Sequence, residues 1–275
     1  MTTQEIIRAA LREDLGERGD VTTRFFVPKG ARLRGKIIAK APGVVCGADV
    51  ARKVFLSVSP SCRIRVKTKD GRPIKPGQVV MEVAGGPKIL TAERTALNFL
   101  QHLSGVATLT ARYVERTAGT KAKILDTRKT LPGWRELEKY AVRCGGGENH
   151  RIGLYDAVLL KDNHWSLNRH IREAVAQVRR RYPRMTIEIE AANIGQVERA
   201  LQAGADIILL DNMTSSLIRR AIRVIRKERP STRVEISGGV HLENVRALAR
   251  LGPDRISIGR ITHSAPALDM SLEIE

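Results

Sequence analysis

The sequence predicts an α/β protein in two parts, a small β-rich unit followed by a βα barrel. Three observations carry that expectation. From residue 122 onward, apolar runs of strand length alternate with stretches of helical periodicity. Those runs are too apolar to leave one face in water, so their sheet is covered on both sides. Nearly every run also ends in groups fit for chemistry; a barrel gathers such ends on one face, whereas an open sheet needs them at a single switch point. At 275 residues, 42% of them hydrophobic, the chain has material for one large domain or two modest ones.

Taken in order, residues 4–15 place Ile6, Ile7, Ala10, Leu11 and Leu15 at helical spacing, and Gly16 ends that helix. Gly19 and Asp20, followed by Thr22 and Thr23, read as a turn. Between residues 31 and 83 the runs RLRGKIIAKA, GVVCGA, CRIRVKTKDG and QVVMEVAG are short, alternating or β-branched, and separated by Gly and Pro, the pattern of a β-rich unit. Residues 91–116 hold no proline and one glycine, and Ala92, Leu97, Leu100, Leu103 and Ala107 recur at helical spacing, which predicts a long helix linking two domains. Strands are then expected at 122–126, 157–161, 186–190, 206–210, 234–236 and 255–258, with helices at 169–182, 194–203, 216–228 and 242–251. The domains expected are 1–110 and 111–275, the last few residues being free to pack back on the first.

Lys plus Arg number 48 against 29 Asp plus Glu, a net charge of +19, so a polyanion or an anionic substrate is the first partner to consider. Residues 1–137 hold most of the excess, with 26 basic against 12 acidic groups. Aromatic residues are only 4% and no RNA-recognition signature occurs, which argues against nucleic acid as the partner. The 23 glycines and 11 prolines exclude collagen and low-complexity disorder, and no apolar run approaches the roughly 18 residues of a membrane span. Cys46, Cys62 and Cys144 are odd in number and far apart, without the spacing of a disulfide framework or a zinc site, and are expected to be buried small hydrophobes. The opening MTTQEIIRAALR lacks the basic start and apolar core of a secretory signal, so a cytoplasmic chain is expected.

Four clusters are suited to chemistry. DTRKTLPGW sets Arg128 beside Lys129 just after a strand, a planar fork and a compact charge that together suit an anion; a solvated basic loop is the alternative. GGGENHR leads three glycines into His150 and Arg151, either for close backbone approach to a ligand or as a plain flexible loop. Glu190 and Asp211 end consecutive strands, and two carboxylates on one rim can hold magnesium; Glu188, two residues earlier on the same side of its strand, competes for that role. Ser237, Gly238 and Gly239, then Gly259 with His263 and Ser264 beyond it, form glycine-rich strand ends of the kind that cradle phosphate on the last strands of a barrel. The turn KDGRPIKPGQ resembles that of biotinyl and lipoyl carrier domains, but the Met-Lys-Met-like hairpin of those carriers is absent.

The runs EDLGERGDVTT, AERTALNFLQHLSGVAT, DTRKTLPGWRELEKYAVRCGGGENHRIGLYDAVLLKDNH, IEIEAANIGQVERALQAGADIILLDNM and EISGGVHLENVRALARLGPDRISIGRITHSAPALDMSLEI together resemble the quinolinate phosphoribosyltransferase family, almost end to end. The resemblance implies an N-terminal α/β sandwich domain and an incomplete, seven-stranded type of α/β barrel. It implies conversion of quinolinate and phosphoribosyl pyrophosphate to nicotinate mononucleotide, pyrophosphate and carbon dioxide in NAD biosynthesis, with magnesium and no organic cofactor. By the same resemblance Arg128, His150, Arg151 and Lys161 would line the quinolinate pocket, with Arg94 supplied across a homodimer or dimer-based hexamer. Lys129 would be shared with the phosphoribosyl donor, Glu190 and Asp211 would act on the ribose and the magnesium-bound pyrophosphate, and Ser237, Gly238, Gly239, Gly259 and His263 would receive the 5-phosphate. Arg260 departs from the family pattern, which has a small residue there, and Ala191 and Ala192 replace the more usual valine and polar residue. The rival readings are a molybdenum-transport-associated paralogue acting on another aromatic acid or base, and a non-enzymatic basic protein that binds nucleic acid.

Overall fold

The computed structural model describes residues 1–167 and 170–275, and the chain divides into two compact units. The first comprises Met1–Ala111, Lys129–Gly146 and Arg260–Glu275; the second comprises Arg112–Arg128 and Gly147–Gly259. Two later segments thus cluster with the first unit, and one of them, Arg260–Glu275, holds the last residues that the sequence left free to pack back on it.

Helix α1 (Thr3–Leu15) opens on a capping box, in which Thr2 Oγ1 accepts from the Glu5 N–H and Glu5 Oε2 accepts from the Thr2 N–H at 2.7 Å. The expected turn at Gly19-Asp20 instead starts α2 (Val21–Phe26): the Asp20 carboxylate accepts from the Thr23 N–H at 2.9 Å and from the Thr91 hydroxyl at 2.7 Å. Next come β1 (Leu33–Ala39), β2 (Gly43–Val44) and a helix the sequence pattern did not reveal, α3 (Ala48–Val58), which buries Ala48, Val50, Ala51, Val54 and Phe55. Its cap comes from a distant residue, since the Asp70 carboxylate accepts from the Gly47 and Ala48 N–H groups at 3.1 and 3.0 Å. Strands β3 (Arg63–Val66), β4 (Pro73–Ile74) and β5 (Val79–Gly85) lead into α4 (Lys88–Arg116), the long helix expected.

The βα alternation follows as β6 (Lys123–Leu125), α5 (Arg135–Cys144), β7 (Val158–Leu160), α6 (Asp162–Leu167), α7 (Ile171–Arg181), β8 (Ile187–Ala191), α8 (Ile194–Ala203), β9 (Ile207–Asp211), α9 (Ser215–Glu228), β10 (Arg233–Ser237), α10 (Val245–Ala249), β11 (Arg255–Ser257), α11 (Arg260–His263) and β12 (Met270–Ile274). All six expected strands and all four expected helices are present, with shifts of a few residues at their ends, while α5, α6, α11 and β12 were not among them. The expected helix start at Arg169 lies outside the described residues.

In the first unit the four-stranded sheet β12-β1-β5-β3 is antiparallel, and β2 pairs with β4. The closing strand is thus the last of the chain. In the second unit six parallel strands run in the order β6-β11-β10-β9-β8-β7, and a single parallel bridge from Leu125 to Glu148 adds a seventh position beyond β6. Among the described residues no ladder joins β7 to that far edge, which makes the barrel incomplete. Ile187, Ile189, Ile208, Leu210, Val234, Ile236 and Ile256 are buried in its strands, and Val197, Ala200, Ile218, Ala221 and Ile225 are buried on its helices. Each such large side chain contributes about 1.5–3 kcal/mol on burial.

A repeated ionic device secures the end of the barrel away from the chemistry. Asp206, just before β9, accepts from the Ile187 N–H at 2.8 Å and pairs with Arg179 at 2.6 Å. Asp254, just before β11, accepts from the Val234 N–H at 2.7 Å and pairs with Arg226 at 2.6 Å. Part of the excess of arginine is therefore structural.

Candidate active site

Parallel strands bring all their C-terminal ends to one edge, and that edge of the second unit carries the polar residues. After β6, the fully buried Asp126 accepts from the His150 N–H at 2.8 Å and from Asn149 Nδ2 at 2.5 Å, fixing where the chain emerges from its three glycines. Arg151 is half-buried and donates through Nη1 to the Ala157 carbonyl at 3.0 Å. Burial and the field of the Arg128 guanidinium both hold Arg151 below the usual arginine range. Two guanidiniums kept close enough to repel make a place for an anion.

Behind them lies a cluster that sequence reasoning did not assemble. His150 Nε2 is 3.0 Å from Glu188 Oε2 and 3.4 Å from Glu235 Oε1, with the three side chains 8%, 2% and 0% exposed. Arg255 Nη1 approaches the other oxygen of Glu235 at 3.6 Å. Burial opposes charge on the imidazole, but its hydrogen bond to Glu188, the close approach of Glu235 and the fields of both overcome it and push His150 up to about 9. Burial and the charge of Glu235 push the Glu188 carboxyl up. The Arg151 N–H is directed at His150 Nδ1 at 2.8 Å, so the proton of the neutral ring sits on Nε2 against the carboxylates, and a second proton requires that backbone bond to open. Glu188 is therefore not a competitor for the rim: it points to the same side as Glu190 but two residues deeper, where it holds His150.

The raised histidine fixes the sign of a pH effect. Its contribution to stability is complete below the ordinary value of 6.5 and is lost as pH rises through about 9. We expect unfolding free energy to fall by up to about 3 kcal/mol between about pH 6 and about pH 9.5, in urea titrations. A flat profile would mean the imidazole stays neutral between its acids.

On the rim, Glu190 is half-buried and Lys161 exposed. Burial first and the charge of Asp211 second push the Glu190 carboxyl up, against the opposing field of Lys161. The Trp165 indole donates to the Glu190 carbonyl at 2.8 Å, and the Lys161 N–H donates to His164 Nδ1 at 2.9 Å, setting the two neighbouring strand ends. Asp211 Oδ2 accepts from Asn212 Nδ2 at 2.7 Å. Asn212 has φ +51°, the one positive value outside glycine among the described residues, and its N–H donates to the Ser237 carbonyl at 3.0 Å. Gly238, at φ +85°, packs so closely there that a Cβ would lie 2.2 Å from Asn212 Oδ1 and 2.9 Å from Asn212 N. Gly238→Ala should therefore lower stability by about 2–4 kcal/mol in chemical denaturation, through steric overlap and backbone strain together. Gly239 has open space around it, and the Asn244 side chain donates to its carbonyl at 2.9 Å.

The structure thus gathers Arg128, His150, Arg151, Lys161, Glu190, Asp211, Ser237, Gly238, Gly239 and Gly259 on the second unit. Arg94, Lys129 and His263 belong to the first unit. Arg94 is exposed near the start of α4, and the Lys129 carbonyl accepts from the Thr262 hydroxyl at 2.7 Å, which ties that loop to the short helix ending in His263. Arg260, the departure noted above, is exposed at the start of that helix. Glu235, Asn149, Trp165 and Asn212 were missed as supports of the site. Only Asn212 carried a local signal, as a polar residue directly after a strand-ending Asp.

Residues 20–104 match the quinolinate phosphoribosyl transferase N-terminal domain, and residues 106–273 match the C-terminal domain of the same family. The chain belongs to the quinolinate phosphoribosyl transferase family. Within it, the nicotinate-nucleotide pyrophosphorylase [carboxylating] of Mycobacterium leprae is 40% identical over 274 residues, covering 98% of this chain and 96% of that protein. The solved nicotinate-nucleotide pyrophosphorylase of Ehrlichia chaffeensis superposes with a TM-score of 0.94 at 39% identity, covering 100% of this chain and 99% of that one. The Francisella tularensis structure of the same description gives 0.93 at 36% identity, covering 99% and 96%. As in the sequence reading, no helix among the described residues is long and apolar enough to cross a membrane.

Proposed function

We propose that the chain is a quinolinate phosphoribosyltransferase that converts quinolinate and phosphoribosyl pyrophosphate to nicotinate mononucleotide, pyrophosphate and carbon dioxide in NAD biosynthesis. The observation that supports this most is the half-buried pair Arg128 and Arg151, whose charges oppose each other at the C-terminal edge of the barrel. A pyridine with carboxylates on adjacent ring carbons suits two neighbouring like charges, since each guanidinium offers a fork matched to a carboxylate. Lys161 adds a third cation at the exposed end.

Glu190 and Asp211 suit a magnesium ion, because burial and mutual repulsion raise the Glu190 carboxyl and a divalent cation relieves both. Magnesium bound there would supply neutralisation of the departing pyrophosphate. The buried group of His150, Glu188 and Glu235 suits it less: its ligand atoms lie within 4.8 Å of one another, but it is closed to the waters magnesium keeps. In this reading Glu190 faces the ribose carbon and stabilises the positive charge that grows as pyrophosphate leaves, while Arg128 and Arg151 hold the ring so that its nitrogen attacks that carbon. The positive charge of the quaternised nitrogen then stabilises the electron pair left on the adjacent ring carbon when its carboxylate departs as carbon dioxide, and that carbon is protonated. No organic cofactor is needed for that step.

The Gly238 and Gly239 N–H groups, which have no protein acceptor among the described residues, suit the 5-phosphate together with Ser237 and Gly259. Lys129, His263 and Arg94 are assigned on motif resemblance alone, Lys129 and His263 to the phosphoribosyl donor and Arg94 to the quinolinate site of a second subunit in a homodimer or dimer-based hexamer. Three free cysteines accord with a reducing, cytoplasmic setting. The test is a mass balance with quinolinate, phosphoribosyl pyrophosphate and magnesium. Equimolar mononucleotide and carbon dioxide support the assignment; neither product from folded protein removes it.

A further inference from the structure

Cys46 and Cys144, expected from the sequence to be buried small hydrophobes, meet in the first unit. Their sulfurs and a carboxylate oxygen of Asp70 lie within 4.8 Å of one another. Helix α4 pins the backbone on both sides of this contact. The Ser104 hydroxyl accepts from the Cys46 N–H at 2.9 Å and donates to the Cys46 carbonyl at 3.1 Å. Cys144 is the last residue of α5, and Gly145 after it packs so tightly on α4 that a Cβ there would lie 2.4 Å from the Ala107 carbonyl oxygen. Tyr140, one turn earlier on α5, donates to Asp70 Oδ2 at 3.0 Å, fastening the same helix to the group that caps α3. Two thiols from distant parts of the chain are held adjacent by three attachments, at Ser104, Gly145 and Asp70.

The two sulfurs are not equivalent. Cys46 is fully buried, while Cys144 is half-exposed. Hydrogen bonding from Cys46 draws the Cys144 thiol below its ordinary range, against burial, with help from Tyr140 and from the charge of Arg143; the charge of Asp70 opposes this. The same hydrogen bond, together with burial, pushes Cys46 up. An accessible sulfur with thiolate character beside a buried thiol is the arrangement of an attacking and a resolving cysteine. A metal site is poorly served, because the Asp70 oxygens already accept from Gly47, Ala48 and Tyr140, and closed zinc sites take four ligands.

We propose that Cys46 and Cys144 form a reversible dithiol–disulfide couple that reacts with peroxides. The Cys144 thiolate attacks the peroxide O–O bond, taking one oxygen as sulfenic acid and releasing hydroxide. The Cys46 sulfur then displaces that oxygen, forming the S–S bond, and its proton leaves with the oxygen as one water; the hydroxide takes up the proton that Cys144 lost on ionising and becomes the second, so two thiols are oxidised as one hydrogen peroxide is reduced. Side-chain rotation has to bring the sulfurs to about 2.05 Å.

The experiment exposes the full-length protein to hydrogen peroxide, counts thiols after denaturation and maps peptides by mass spectrometry, with and without later dithiothreitol. The three thiols should fall to one, Cys62, with a Cys46–Cys144 peptide pair that dithiothreitol dissolves. Cys62→Ser should leave the reaction unchanged, and Cys46→Ser should stop it at a sulfenic acid on Cys144 that dimedone captures. Retention of all three thiols in the wild type, over-oxidation of Cys144 without a cross-link, or a linkage through Cys62 would overturn the proposal. So would stoichiometric zinc in the purified protein that masks both thiols until chelated.

Discussion

Arg128→Ala is expected to lower kcat/KM for quinolinate by about 10²–10³-fold, with most of the loss in KM for that substrate and little change in thermal stability. Truncating one member of a desolvated charge pair costs about 2–5 kcal/mol in recognition. In the free protein, by contrast, the change removes a like charge facing Arg151, which offsets part of what the loss of the other Arg128 contacts costs. The same change should move Arg151 back toward ordinary arginine behaviour. Arg128→Lys keeps the charge but loses the planar fork, and is expected to recover only part of the affinity. Steady-state kinetics with quinolinate varied at saturating donor, alongside melting curves, checks the pair of outcomes. A fall in kcat with unchanged KM would move Arg128 away from the pyridine.

Glu190→Gln should lower kcat by about 10²–10³-fold, the scale on which one preorganised charge acts on a transition state. The substitution keeps the side-chain shape, and the Trp165 indole still meets the backbone carbonyl at position 190, so the strand end should survive. Removing the charge also removes its repulsion with Asp211, and the magnesium concentration needed for half-maximal rate should rise. Asp211→Asn should raise that requirement too. Magnesium titrations of kcat in the variants, with circular dichroism to show that they are folded, decide this. A variant with wild-type kcat and an unaltered magnesium requirement would remove Glu190 from the reaction.

The barrel was legible because its strands announce themselves locally: β9 is apolar on both faces up to Asp211, while β8 and β10 alternate Ile or Val with Glu and end beside Glu190 and at Ser237. What the sequence hid depends on contacts between distant residues. Helix α3 escaped notice because Asp70, on a later loop, caps its N-terminus. Helix α2 escaped because Asp20 before a Thr pair serves a turn as readily as an N-cap. Strand alternation correctly put Glu188 and Glu190 on one side, yet it carries no depth. Two residues along the strand separate an acid buried on His150 from an acid at the rim. Glu235 joins that cluster from another strand, and no local spacing reveals it. The residues proposed for the site come from family motifs, which name candidates but not the side chains that support them.

The central claim is that the arginine pair reads a pyridine carrying two adjacent carboxylates, and binding by calorimetry without the phosphoribosyl donor tests it most directly. Quinolinate should bind at least about tenfold more tightly than nicotinate, which lacks the second carboxylate, and Arg128→Ala should erase the difference. Equal affinities for the two acids in the wild-type protein would contradict the account.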